Sequence, residues 1–470
     1  MAQSPLTLDE LTARILPHIE AGVDAPFSES DFNELALAEF AFQYANNEIL
    51  REFAQAKGVN PETIGDWSEI PLVYNDVFKK TLVSSFPLEK TVMSCLTSGT
   101  TSLTQRGRIF REENGQKLVF TANRVMTQHY VFPDFADGAR CRILILAPSP
   151  DVAPSMGMAI GMEQTRRCFG TDDSIFLLKR SGIDVGKLIK ALRESEESGV
   201  PVALIGATSA FVYFFQACRR DGMRFSLPQG SRVCDGGGYR GRFGVITRDD
   251  YYDMVEDLLG ISANFCVNTL GEAETATNLF DDALSRHYQG KEERVRLRPV
   301  PPWARVRAFS TDDLAPLPDG EVGLLAHWDL ANAPTVLGVI TDNLGFTSDN
   351  GTACEIVGRA RLDDGGKVSS LPDEERTLGA MGDTPIFRML EKYVNFTIDL
   401  KMHFAKDPNK TPSIREEVEL DVESVPSCPQ VIDEMLSASD DSDAAELRDA
   451  SLEAFKKQAQ ESPEIKPNFP

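Results

Sequence analysis

Apolar residues recur every three or four positions over residues 6–19 and 32–56, which predicts two amphipathic helices. Thr7 and Ser30 stand before them as N-caps, each with an acidic residue near the third helical position. From about residue 140 the texture changes. Short apolar runs at 142–147, 202–206, 232–234 and 264–267 alternate with helical patterns at 156–168, 185–197, 210–221 and 249–259. Runs this short and this apolar read as strands buried on both faces. Their alternation with helices predicts a layered α/β sheet, with ligands met by loops after the strand C-terminal ends.

Around 322–328 and 336–341 strand follows strand without an intervening helix, a β-rich subregion closed by Gly358-Arg359. A Gly/Asp/Ser-rich stretch over 362–371 then reads as a linker. Alternating segments at 396–404 and 418–422, with a helical pattern at 444–458, suggest a small α+β lid. The resulting layout is a large domain over 1–359 with a helical lead-in over 1–90, a hinge over 360–375, and a lid over 376–470 that carries an acidic segment.

Charge and composition narrow the function classes. A net charge of −24 disfavours nucleic acid as the main partner, because phosphate repels such a surface. Hydrophobic content of 42% and charged content of 26% are those of a soluble globular chain. No apolar run reaches the length of a membrane span. The first residues lack the basic and apolar regions of a secretory signal. The eight cysteines include no C-x-x-C pair and read as free thiols in a reducing cytosol, so a cytoplasmic protein is expected. The five histidines show no metal-ligand spacing, and no G-x-S-x-G elbow occurs.

The candidate chemistry lies in four loops. Thr97, Ser98, Gly99, Thr100 and Thr101 follow an apolar lead-in of Val92, Met93, Cys95 and Leu96. Small residues rich in hydroxyls and backbone N–H groups can wrap a phosphate, and Arg106, Arg108 and Arg111 follow with positive charge. The plainer reading is a polar turn. The stretch is no Walker A loop, since Leu103, Thr104, Gln105 and Arg106 stand where that motif needs glycine, lysine and a hydroxyl.

Gly236, Gly237 and Gly238 follow a predicted strand and formally match G-x-G-x-x-G through Gly241. The dinucleotide reading fails because no helix opens there. A triple glycine at a strand end still lets a flat ring approach the backbone, although a tight turn needs it equally. Gly271-Glu272-Ala273-Glu274 follows the strand at 264–267 and can place a carboxylate on a Mg²⁺ that bridges phosphates, or can simply open a helix. Thr341-Asp342-Asn343-Leu344-Gly345, ahead of Gly358-Arg359, can clamp ribose hydroxyls, or can be a surface hairpin.

In order and spacing these loops resemble the adenylate-forming superfamily of acyl-activating enzymes. The texture is most similar to the acyl-protein synthetases of the LuxE family, with phenylacetate–CoA ligases next. The ordered motifs span roughly 90–360, and 390–460 matches by pattern alone. The resemblance implies that Thr97, Ser98, Gly99, Thr100 and Thr101 cradle the ATP phosphates, with Thr100 and Thr101 in catalytic positions. It also implies that Gly236, Gly237 and Gly238 line the adenine, that Gly271 precedes Glu274 as the Mg²⁺ ligand, and that Asp342 or Asn343 meets the ribose. Arg359 would contact ribose or phosphate.

This chain departs from the superfamily at Ser102–Gln105, Leu270, Ala273 and Asn343, and no lid lysine can be assigned. The implied reaction joins a small carboxylic acid to AMP with release of pyrophosphate. A thiol then takes the acyl group: a protein cysteine, a carrier-protein arm, an acyl reductase partner, or coenzyme A. Cys354 and Cys428 are the nearest internal candidates, though free cysteines more often simply pack. Phe211, Tyr213, Phe214 and Phe215 line either an acyl pocket or the core. Two other readings remain open at this point: a catalytically silent binding subunit, and an aryl-acid coenzyme A ligase.

Overall fold

A computed structural model describes residues 5–97, 107–179, 182–241, 244–362 and 368–369, together with Ile398 and Met402. The loop 98–106, most of the expected hinge, and the expected lid apart from Ile398 and Met402 lie outside the described residues. The chain divides into two compact units, one built from Met1–Phe135 with Val267–Ala380, the other containing Ala136–Cys266.

The Ala136–Cys266 unit holds the predicted strand–helix alternation. Strands Arg232–Gly236, Val202–Ala207, Arg142–Pro148 and Ile175–Lys179 lie side by side in that order, all parallel. Gly182–Ile183 adds an antiparallel edge. Helices Gly157–Phe169, Val185–Ser198, Thr208–Asp221 and Arg248–Leu259 connect or follow these strands. Ile143, Leu144, Ile145, Leu146 and Ala147 are all fully buried, as an apolar run without alternation requires in a parallel sheet. Gly206 is glycine because a Cβ there would stand 2.6 Å from the Leu146 carbonyl oxygen of the neighbouring strand. Phe211, Tyr213, Phe214 and Phe215 are buried on Thr208–Asp221 and belong to the core.

The other unit is built on an antiparallel sheet with strand order Arg298–Pro299, Ala353–Arg359, Gly338–Ser348, Gly323–Asp329 and Ala304–Phe309. Val73–Tyr74 joins it in parallel, opposite Val339 and Ile340. This is the strand-after-strand region that the sequence predicts. Its aromatic core is a chain of edge contacts: Phe32 on Trp67 at 5.6 Å and Trp67 on Trp328 at 4.9 Å. Arg305 lies over the Phe32 ring at 3.9 Å.

The helical lead-in differs from the sequence reading in two respects. Thr7 caps Leu8–Glu20 in a full capping box with Glu10, but Ser28 rather than Ser30 caps the next helix. The single helix expected over 32–56 is two, Glu29–Asn46 and Glu48–Ala56. Asn47 divides them. It is buried and extended, it ends the first helix, and its side chain accepts from Leu50 N–H to start the second. Its Nδ2 donates to Ser85 Oγ and the Thr335 carbonyl, partners that helical periodicity cannot reveal.

Candidate active site

The hydroxyl-rich loop leaves from a hairpin in the antiparallel unit. Met93–Leu96 pairs with Arg108–Arg111, and the ladder runs to Leu96 opposite Arg108. Beyond it Thr97 N–H donates to the Gly107 carbonyl at 2.9 Å, and Gly107 N–H donates to Thr97 Oγ1 at 3.0 Å. The neck is tight: a Cβ at Gly107 would meet the Phe78 carbonyl oxygen at 2.7 Å. Thr97 is buried at this neck, while Ser98, Gly99, Thr100 and Thr101 lie outside the described residues.

Gly271, Glu272 and Glu274 occupy a turn, not a helix N-terminus. Strand Cys266–Leu270 pairs antiparallel with Leu279–Phe280, and the turn joins them. Side chains hold it in place of a ladder. Arg111 donates to the Ala273 carbonyl at 3.4 Å, and Asn332 Nδ2 donates to the Glu274 carbonyl at 3.0 Å. Asp329 accepts from Thr277 N–H at 2.7 Å, and Asn123 accepts from Asn278 N–H at 2.9 Å. A Cβ on Gly271 would strike Asn278 Oδ1 at 2.6 Å, so this residue lets the turn close.

Asp342 and Asn343 lie inside strand Gly338–Ser348, not in a surface hairpin. Asp342 sits where one neighbouring strand gives way to another. Val73–Tyr74 ends beside Ile340, whose carbonyl accepts from Asn75 N–H, and Arg359 pairs with Asn343. In that gap Ala360 N–H donates to the Asp342 carbonyl at 2.7 Å, and Asn75 Nδ2 donates to Asp342 Oδ1 at 3.0 Å. Arg359 Nε stands 3.0 Å from Asp342 Oδ2, and its NH2 stands 3.8 Å from Glu272 Oε1. Four residues that the sequence holds in three separate segments therefore form one cluster: Glu272, Glu274, Asp342 and Arg359.

The electrostatics follow from burial. The Glu272 side chain is 4% exposed, and burial raises its pKa to about 7 although Arg359 pulls the other way. Burial, and then the Glu272 charge, raise the Glu274 pKa to about 8. Glu272 and Glu274 titrate as a pair. The Asn343 carboxamide is fully buried and acts on Glu272, yet neither of its polar atoms completes a hydrogen bond of normal geometry. Arg359 balances Asp342, and Glu272 and Glu274, with their raised pKa values, hold protons that a hard cation would displace to take their oxygens as ligands. No group of three His, Cys, Asp or Glu able to hold a metal occurs among the described residues, so a cation here would take most of its oxygens from substrate and water.

Gly236, Gly237 and Gly238 belong to the Ala136–Cys266 unit. Gly236 ends its strand, and Gly237 has φ +110°, with Thr208 Oγ1 at an ordinary contact distance of 3.7 Å from where a Cβ would stand. Thr208 Oγ1 donates to Asp235 Oδ2 at 2.7 Å and braces this strand end. Arg111, expected as positive charge for phosphate, is turned inward. Cys354 is fully buried, and burial pushes its thiol up to about 12, so it is neither exposed nor activated as a nucleophile in this structure. Cys428 lies outside the described residues. Sequence reasoning named both carboxylates of Gly271-Glu272-Ala273-Glu274 but gave a role to Glu274 alone, whereas Glu272 is the one beside Arg359. The same reasoning missed Asn75, which no local pattern marks.

This fold is that of the adenylate-forming ligases. An open conformation of 2-hydroxyisobutyryl-CoA ligase, in complex with 2-HIB-AMP and CoA, superposes with a TM-score of 0.52 at 12% identity, covering 71% of each chain. The same enzyme in its thioesterification state gives 0.52 at 13%, covering 74% of this chain and 71% of that one. The sequence model of the family "Acyl-protein synthetase, LuxE" matches residues 25–365. The chain belongs to that family and is an ATP-dependent ligase that forms an acyl-adenylate and passes the acyl group to a thiol. The "long-chain-fatty-acid–luciferin-component ligase" of Vibrio harveyi is 25% identical over 340 residues, covering 70% of this chain and 84% of that protein. The Aliivibrio fischeri protein of the same name is 25% identical over 323 residues, covering 67% and 79%. No helix among the described residues is long and apolar enough to cross a membrane.

Proposed function

We propose that this ligase takes a long-chain aliphatic acid as substrate and hands the acyl group to a thiol on a partner protein. The observation that carries the site assignment is the buried cluster of Glu272, Glu274, Asp342 and Arg359, where a cation and ribose hydroxyls have matching partners. The names of the two bacterial relatives support the acid class.

In the first half-reaction the substrate carboxylate attacks the α-phosphate of ATP. An O–P bond forms, the bond to the β-phosphate breaks, and pyrophosphate leaves. Ser98, Gly99, Thr100 and Thr101 meet the departing phosphates through hydroxyls and N–H groups, and Thr97 fixes the neck from which they leave. Asp342, fixed by Asn75 and Ala360, accepts from the ribose, with Asn343 beside it. Arg359 keeps Asp342 in place and reaches phosphate or ribose oxygen. Gly236, Gly237 and Gly238 give the adenine ring a wall without side chains. Glu274 would hold Mg²⁺ together with phosphate oxygens, and the ion, when bound, neutralises the pyrophosphate; Glu272 Oε2, buried without a hydrogen bond, adds an acceptor next to it. In the second half-reaction the thiol attacks the acyl carbon, a thioester forms, and AMP leaves.

A carrier arm or an acyl reductase is the acceptor this reading favours, with coenzyme A the competing one. ATP–pyrophosphate exchange, run with fatty acids of graded length and with aryl acids, tests the proposal. Exchange that rises with aliphatic chain length supports it. Exchange with aryl acids alone, or thioester formed with coenzyme A and no protein acceptor, overturns it.

A further inference from the structure

We infer that Arg111 is a positioning residue for adenylation: it fastens the turn Glu272-Ala273-Glu274 to the hairpin that carries Thr97, without itself meeting substrate. The inference rests on the proposed function for the reaction it serves, and on the geometry for the link.

Arg111 ends the strand Arg108–Arg111 and is 3% exposed. Its backbone carbonyl accepts from Val92 N–H at 3.0 Å, so its main chain is locked into the hairpin. Its guanidinium reaches the other way. NH2 donates to the Ala273 carbonyl at 3.4 Å, and NH1 donates to Asn332 Oδ1 at 3.2 Å. Asn332 passes the grip on, donating from Nδ2 to the Glu274 carbonyl. Thr335 Oγ1 donates to the same Asn332 Oδ1 at 2.6 Å and fixes the carboxamide orientation. Two consecutive carbonyls of the acidic turn are thereby held through one arginine, and the arginine belongs to the hairpin.

Other restraints on this turn come from Asn123, Asp329, Trp303 and Asn332, which lie outside the hairpin. Arg111 alone among these side chains joins the turn to the Thr97 hairpin. Arg359 is the cation acting on Glu272 and Glu274, whereas the charge of Arg111 acts on buried Asp329, the carboxylate that holds Thr277 N–H in the same turn. A buried guanidinium whose hydrogen bonds go to a carbonyl and a carboxamide is a costly way to fill space. Only its planar fork serves two acceptors at once, which a lysine cannot reproduce.

The test uses the full chain with Arg111→Lys, which keeps the charge and loses the fork. Amide hydrogen exchange at Thr277 and Asn278 should quicken by about tenfold or more as the turn loosens. The kcat of ATP–pyrophosphate exchange should fall roughly 10- to 100-fold, the effect of a displacement near 1 Å, with KM for the acid within about twofold. Thiol attack on preformed acyl-adenylate should keep its rate. Unchanged amide exchange overturns the link. So does equal loss of both half-reactions alongside a lowered melting temperature, since that marks a purely structural residue. Arg111→Gln, which drops the buried charge, gives the same readouts should the lysine variant not fold. A wild-type protein without exchange activity would sink the proposed function, while the amide exchange would still decide the link.

Discussion

Replacing Glu274 by Gln should stabilise the metal-free protein at alkaline pH while removing its activity. In an exposed chain this carboxyl has the ordinary value of 4.5, whereas the folded protein holds its proton up to about 8. Between those values the folded state keeps a proton that the unfolded state has lost. Folding stability therefore falls as pH rises through this window. At about 1.4 kcal/mol per pH unit the interval sets an upper limit of about 5 kcal/mol. Water entering the pocket and relief of the Glu272 charge reduce this, so about 2–3 kcal/mol is expected at pH ~8.5. Gln has nearly the shape of the protonated acid and carries no proton to lose. The difference between variant and wild type should thus be near zero at pH ~4.5 and grow until it levels off above pH ~8. Urea unfolding with a chelator present, followed by tryptophan fluorescence, measures it. All three tryptophans, Trp67, Trp303 and Trp328, lie in the unit that contains Glu274, so the signal reports that unit. A stability difference of equal size at both ends of the pH range would mean that Glu274 is ionised throughout, and the reasoning would fail.

Arg359→Met removes the cation beside Glu272 and Asp342, so pyrophosphate exchange should drop by about 100-fold or more; retention of wild-type exchange would take Arg359 out of the site. Gly237→Ala forces a side chain into φ +110° and should cost about 1–2 kcal/mol, visible as a lower urea midpoint by circular dichroism. An unchanged midpoint would show that the strand end adapts freely. Cys354→Ala should leave acyl transfer intact, and alkylating reagents should reach Cys354 only after denaturation, because the thiol is fully buried and pushed up to about 12.

The parallel sheet was legible because a doubly buried strand leaves an apolar run, and 142–147 and 202–206 became Arg142–Pro148 and Val202–Ala207 with small changes at the ends. The fourth run was shifted: the expected strand at 264–267 begins at Cys266, after a short 3-10 turn over Ala263–Phe265. The site was legible as residues but not as an assembly. Glu274, Asp342 and Arg359 stand in motifs that can be read, yet strand pairing alone brings Asn343 opposite Arg359. Arg111 was misjudged for a physical reason. Beside a hydroxyl-rich loop an arginine reads as phosphate charge, and nothing local shows that it faces a carbonyl at residue 273.

The Asn47 break and its neighbours also set a schedule for synthesis. Gln43 exchanges hydrogen bonds with Ala333 and Leu337, and Asn47 donates to the Thr335 carbonyl. These buried polar groups of the first helices wait for a segment made nearly three hundred residues later, which at roughly 5–20 residues per second is about 15–60 s of ribosome time. Meanwhile Ala136–Cys266 emerges as one continuous stretch whose strands and helices are close in sequence, so its contacts can form early. The nascent chain therefore carries an unfinished N-terminal segment, Met1–Phe135, while contacts in the middle are already forming, and that segment is where chaperone binding and early proteolysis should concentrate.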